Sequence, residues 1–186
     1  MKPRNLLLLI CAFFILIPFE GSGQKKADKK KVTITYELSK IPGPGSNQLA
    51  VWVEDRDSSV VKTLFATKYT ATGGWKKRPA SLSEWVKKSN LAGAPKEEVD
   101  AITGSTQPAG IQTITWDCTD KAGNRVRKGK YIIRMEANIQ NTKKMYYHGL
   151  IAVGGRNKTG TGSITYSSPE LASGNVLFKN VVVEYK

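Results

Sequence analysis

The residues best placed to do chemistry lie in one short run: Asp100, Thr103, Gly104, Ser105 and Thr106, within Val99-Asp100-Ala101-Ile102-Thr103-Gly104-Ser105-Thr106. A threonine hydroxyl can accept a transferred group when it is exposed, when little bulk precedes it, and when the backbone can bend. Thr106 supplies the hydroxyl, Ser105 and Gly104 supply small neighbours, and Asp100 and Thr103 supply an acid and a second hydroxyl upstream. The same residues also suit a helix-capping turn. In that reading Thr103 and Thr106 satisfy free backbone N–H groups, Gly104 takes a positive φ, and Pro108 stops the segment. The sequence leaves both readings open.

Other chemistry is sparse. His148 is the only histidine, and it is expected to pair with backbone or solvent. Without a second base of that kind no hydrolase triad can form, and a lone histidine makes a poor transition-metal site. Asp55, Asp57, Asp117 and Asp120 lack the spacing of a calcium loop and read as turn caps. Gly154 to Gly160 is glycine-rich and basic but lacks the P-loop lysine context, so it reads as a mobile loop. Tyr146 and Tyr147 are taken as exposed aromatics that leave a glycan-binding surface open. We expect no catalysis by this chain alone.

Short strands must position these residues. Val32, Ile34, Tyr36 and Leu38 alternate strictly and predict a half-buried strand, broken at Pro42-Gly43-Pro44-Gly45. Further strands are expected over 49–54, 60–66, 111–116, 129–137 and 145–153, with two segments around Lys179-Asn180 at the end of 175–185. Asp55 to Ser59 reads as a hairpin turn. Between the third and fourth strands the period changes, and residues 68–109 form an insertion. Ser81-Leu82-Ser83-Glu84 has capping-box spacing, which predicts a short helix from Leu82 to about Lys88 with Leu82, Trp85 and Val86 inward. Trp52 and Trp116 belong to the core, and Trp75 and Trp85 pack the insertion onto it. The expected fold is all-β, an antiparallel sandwich of immunoglobulin or fibronectin-III type with a short helical insertion.

The termini and charge set the compartment. Lys2 and Arg4, the apolar run Leu6 to Ile17 and the small residues Gly21-Ser22-Gly23 make a secretory signal peptide over 1–23. A basic linker over 24–31 follows, then the domain over 32–186. Cys118 is the only cysteine after the leader, so no disulfide can form within the exported chain. The 186 residues carry 29 Lys+Arg against 15 Asp+Glu, a net charge of +14. Export argues against nucleic acid as a partner. The charge then serves solubility, or attraction to anionic lipid headgroups, an acidic partner or an anionic ligand.

Two resemblances sharpen this reading. The run Trp116-Asp117-Cys118-Thr119-Asp120-Lys121-Ala122-Gly123-Asn124-Arg125-Val126, then Gly129-Lys130-Tyr131 and Glu136-Ala137, resembles the Ig-like domain of the flagellar hook-capping protein FlgD. Cys118 stands where that pattern has glycine, so a positive φ there would carry strain. More widely, Leu49 to Asp55, Val61 to Leu64, Trp75, Leu82, Trp85, Val99 to Thr106, Pro108-Ala109-Gly110 and the Trp116 block follow in order a predicted periplasmic family, domain of unknown function 2271. That resemblance implies a periplasmic Ig-like domain whose partner is an envelope or inner-membrane protein of PepSY type, in iron uptake or reduction.

The run Asp100 to Thr106 also resembles the Asp-x-x-(Ser/Thr)-Gly-Ala-Thr motif at which bacterial flavin transferases attach FMN to threonine, with Ser105 in place of alanine. This implies covalent FMN on Thr106 and a flavin transferase as partner, with Asp100, Thr103, Gly104 and Ser105 as the recognition residues. Trp75 and Trp85 could then stack on the ring, and Lys76, Lys77 and Arg78 could offset the phosphate. The alternative is a non-catalytic module that docks an envelope partner through its edge strands.

Overall fold

The computed structural model describes residues 30–41, 47–139, 143–172, 174 and 176–186. The leader, most of the basic linker and the Pro42–Gly45 break lie outside them. The strands are β1 (Val32–Leu38), β2 (Gln48–Glu54), β3 (Val60–Thr67), β4 (Thr103–Gly104), β5 (Gly110–Trp116), β6 (Gly129–Ile139), β7 (Lys143–Val153), β8 (Lys158–Thr159), β9 (Thr161–Tyr166) and β10 (Phe178–Tyr185). Short helices are α1 (Trp75–Lys77), α2 (Ser83–Lys88), α3 (Lys96–Ile102) and α4 (Pro169–Ala172).

Two sheets form the all-β sandwich. One has the order β5-β1-β10-β8, and the other β4-β3-β2-β6-β7-β9. All pairings are antiparallel except β3 with β4, where Ala66 and Thr67 lie beside Thr103 and Gly104. Period-2 alternation decides what each strand buries. In β1, Val32, Ile34, Tyr36 and Leu38 point inward, as the sequence predicts. Trp116 is fully buried, meets Tyr131 edge-on at 5.2 Å, and donates its indole N–H to the Thr119 carbonyl at 2.7 Å.

β2 is buried on both faces. Leu49, Val51 and Val53 join the core between the sheets. Ala50 and Trp52 face the other way, into a second core with Leu82, Trp85 and Leu91 of the insertion. Residues 71–102 therefore pack across the outer face of the larger sheet, and 103–109 run along its edge as β4 and the strap after it.

Several expectations change. The last strand is one element, not two, because the register shift opposite Thr35 and Glu37 and the left-handed Asn180 (φ 52°) absorb the irregularity. The loop expected over 154–160 contains β8, and β9 follows directly. Tyr147 is buried rather than exposed, because its ring covers Gly149 and Gly162, where any Cβ would lie about 2.3–2.4 Å from its atoms. Cys118 has φ 57°, in the left-handed region. Its thiol is buried and 3.9 Å from the Trp116 carbonyl, so burial fixes a conformation that glycine would adopt freely.

Candidate functional site

The five predicted site residues fall on three successive pieces of backbone. Asp100 lies in α3, where its carboxylate pairs with Lys96 at 2.5 Å on the exposed surface. Thr103 and Gly104 form β4. The Thr103 hydroxyl donates to the Asp100 carbonyl at 3.2 Å, so it closes the C-terminal turn of the helix rather than capping an N–H. Gly104 does not have a positive φ. A small residue is required there for a different reason: a Cβ would lie 2.5 Å from the Phe65 ring. The capping-turn reading is thus corrected, and the segment is a helix end followed by a short parallel bridge.

Ser105 and Thr106 follow, both exposed. The Thr106 hydroxyl has no hydrogen-bond partner among the described residues. Thr106 rims a cavity of about 360 Å³ whose apolar wall includes Leu38, Leu49, Phe65 and Leu177. Polar groups at its edge are Ser39, Lys40, Asn47 and Thr67. The Thr67 hydroxyl is occupied, accepting from the Leu49 N–H at 2.9 Å and donating to its carbonyl at 3.1 Å. Next to the rim, Tyr36 donates to the Gln107 side-chain oxygen at 2.5 Å, and burial pushes the Tyr36 hydroxyl above the ordinary tyrosine range. This bond ties the strap after Thr106 to the sandwich core. Asp100 does not line the cavity.

The cavity wall was not legible as such. Leu38 and Leu49 were visible as inward positions of strands, and Phe65 as part of a third. Nothing in spacing shows that the crossing of β1, β2, β3 and the strap leaves a gap between them.

The tryptophans and cations of the insertion serve other ends. Trp85 is fully buried and donates to Thr63 at 3.1 Å, so it cannot stack on an exposed ring. Trp75 packs against the second core under Lys76, whose ammonium lies 5.5 Å from its ring centre. Arg78 lies 5.0 Å from the Tyr69 ring. None of these lines the cavity.

The capping box is also replaced. The Ser81 hydroxyl lies 3.0 Å from that of Thr70, and Glu84 pairs with Arg134. The free N–H groups of α2 are met from β6 instead. Asn138 accepts from Leu82 at 2.6 Å, and Glu136 accepts from Trp85 at 2.9 Å and Glu84 at 3.4 Å. Glu136 is fully buried, and that burial raises its carboxyl above the ordinary glutamate value against the pull of those N–H groups and Lys144. Four residues along the same ladder, where Glu54 pairs with Ile132, the Glu54 carboxylate accepts from Trp52 at 2.8 Å and from Lys88 at 2.7 Å. His148 lies 2.9 Å from Arg134, so its partner is a side chain, not backbone.

A second hollow, of about 650 Å³, runs along the side of the sandwich between Thr63 of β3, Thr115 of β5 and Ile102 of α3. β5 is an outer strand of its sheet, and β4 covers only Ala66 and Thr67 of β3.

A family model described as "Predicted periplasmic protein (DUF2271)" matches residues 29–166. No curated protein and no solved structure matches the chain.

Proposed function

The chain belongs to this DUF2271 family of predicted periplasmic proteins, and from that premise we propose that it is an accessory protein of an envelope redox or iron-handling system carrying FMN on Thr106. One observation carries the reading. The exposed, unpartnered Thr106 hydroxyl stands at the rim of an apolar cavity. Attachment joins the Thr106 oxygen to the flavin phosphate and breaks the pyrophosphate of a flavin dinucleotide donor; the nucleoside monophosphate and the hydroxyl proton leave. The bound group supplies one- or two-electron transfer. The chain's residues do the rest. Thr106 fixes the attachment point, Lys40 places a cation at the cavity edge, and Leu38, Leu49, Phe65 and Leu177 offer a wall that excludes water. Gly104 lets the segment lie against Phe65. A PepSY-type membrane protein is the partner this reading implies, and a flavin transferase the modifying enzyme.

The test is the visible spectrum and in-gel fluorescence of protein from its native host, beside Thr106→Val. A denaturation-resistant flavin signal lost in the variant is expected. Absence of signal in the unaltered protein overturns the reading. The side hollow between β3 and the outer edge of β5 favours a second one, a non-catalytic module that docks an envelope partner by adding a strand. A colourless protein that co-purifies with such a partner selects it.

A further inference from the structure

Strand direction gathers one set of loops. Val32 at the start of β1 pairs with Trp116 and Tyr185, and Gly129 at the start of β6 pairs with Val153. The Trp116–Tyr131 contact and a 2.8 Å bond from the Lys30 ammonium to the Gly155 carbonyl join the two sheets at that end. The loops over 55–59, 117–128 and 154–157 therefore share one end of the sandwich with Lys30 and Lys31. Lys121, Arg125, Arg127, Lys128, Lys130 and Arg156 are all exposed there. None forms an ion pair among the described residues.

Of the aspartates at this end, Asp55, Asp117 and Asp120 are engaged, and Asp57 is exposed with no side-chain partner among the described residues. The Asp55 carboxylate accepts from the N–H groups of Asp57 and Ser59, and that of Asp120 from Ala122 and Asn124. Asp117 is taken by Lys62 and Thr119. The hollow at this end is bordered by Asp55 and Asp57 as well as Arg127 and Lys130, a poor seat for one small anion. Exposed loops carrying separated cations instead match a plane of many negative headgroups. The exposed large apolar side chains, Tyr69, Ile111, Leu150 and Val182, lie outside these loops, so contact there is electrostatic, without insertion.

We propose that this end of the sandwich docks on anionic phospholipid. The cavity beside Thr106 opens near Ser39, Asn47 and Leu177, at the opposite strand ends, and so faces away from the bilayer. This inference does not depend on flavin.

The test is sedimentation of the exported protein with phosphatidylcholine vesicles, alone or with one third phosphatidylglycerol. Binding is expected only with phosphatidylglycerol, and it weakens as salt shortens the screening length toward about 8 Å. The triple variant Arg127→Glu, Lys130→Glu, Arg156→Glu is expected to lower the partition coefficient at least about tenfold. The control triple Lys68→Glu, Lys87→Glu, Lys143→Glu, with equal charge change elsewhere, is expected to keep most of it. Circular dichroism melts check that both variants fold. Equal loss in the two triples, no binding to phosphatidylglycerol vesicles, or displacement by inorganic phosphate at constant ionic strength each overturns the proposal. An acidic protein partner would give the second of these results.

Discussion

The two cores of this protein are built on opposite principles. Between the sheets, Val32, Ile34, Trp116, Ile133, Met135 and Phe178 bury apolar surface against apolar surface. On the outer face of the larger sheet, Trp52, Leu82 and Trp85 share the interface with buried Gln48, Glu54, Thr70, Ser81, Glu136 and Asn138. The first core needs only volume and alternation. The second holds short, irregular helices whose ends expose backbone groups, so the sheet must supply acceptors at fixed positions. Apolar packing makes the sandwich, and directed hydrogen bonds hold the insertion on it.

The sharpest way to break this contrast is Trp116→Ala. It should cost about 3–5 kcal/mol and shift the whole urea transition; an unchanged midpoint would sink the role given to the inner core. Trp85→Ala should cost a comparable amount but act locally. Amide exchange should then speed up first over 70–102, with β1 and β6 still protected. Uniform loss of protection would show that the two cores fold as one unit.

Removing a cap should come next. Glu136→Ala leaves the Trp85 and Glu84 N–H groups without an acceptor and Lys144 with Ser83 but no carboxylate, and should cost about 1–3 kcal/mol. Glu136→Gln keeps an acceptor and should cost less at neutral pH. Burial raises the Glu136 carboxyl above its ordinary value, so the folded state holds this proton more tightly than the unfolded state. The stability from that shift is present at low pH and is lost as pH rises through the raised value. The stability of the unaltered protein relative to Glu136→Gln should therefore grow as pH falls through that window, read by urea titration at several pH values. A flat difference would mean the carboxylate's donors fully offset its burial.

The smallest effect on stability is expected at the candidate site. Thr106→Val lies on exposed backbone outside both cores and should change stability by less than about 0.5 kcal/mol while abolishing any covalent flavin signal. A large loss of stability would give Thr106 a structural role and undo the attachment reading.

Much of the inner core was legible because a strand with one buried face repeats every second residue. Val32 to Leu38 and the Trp116 block announce themselves this way. β2 was only half legible: Leu49, Val51 and Val53 marked the inner face and Trp52 read as core, while nothing in the spacing showed that Ala50 and Trp52 face a second core under the helices. The capping box at Ser81 and Glu84 misled for the same reason. Local spacing suggested a self-capped helix, whereas Glu136 and Asn138, more than fifty residues away, were already aimed at those N–H groups.

The sequence by itself determined most strands of the sandwich, though not β4, β8 or β9, and the small, hydroxyl-rich run ending at Thr106, since these rest on local period, turn residues and side-chain size. Only the tertiary structure decided that Gly104 must be small because Phe65 lies against it. It also decided that Thr106 borders a cavity, and that scattered lysines and arginines meet at one end of the sandwich. Those outcomes depend on which strands become neighbours and in what register, a choice settled by the packing of residues far apart in the chain.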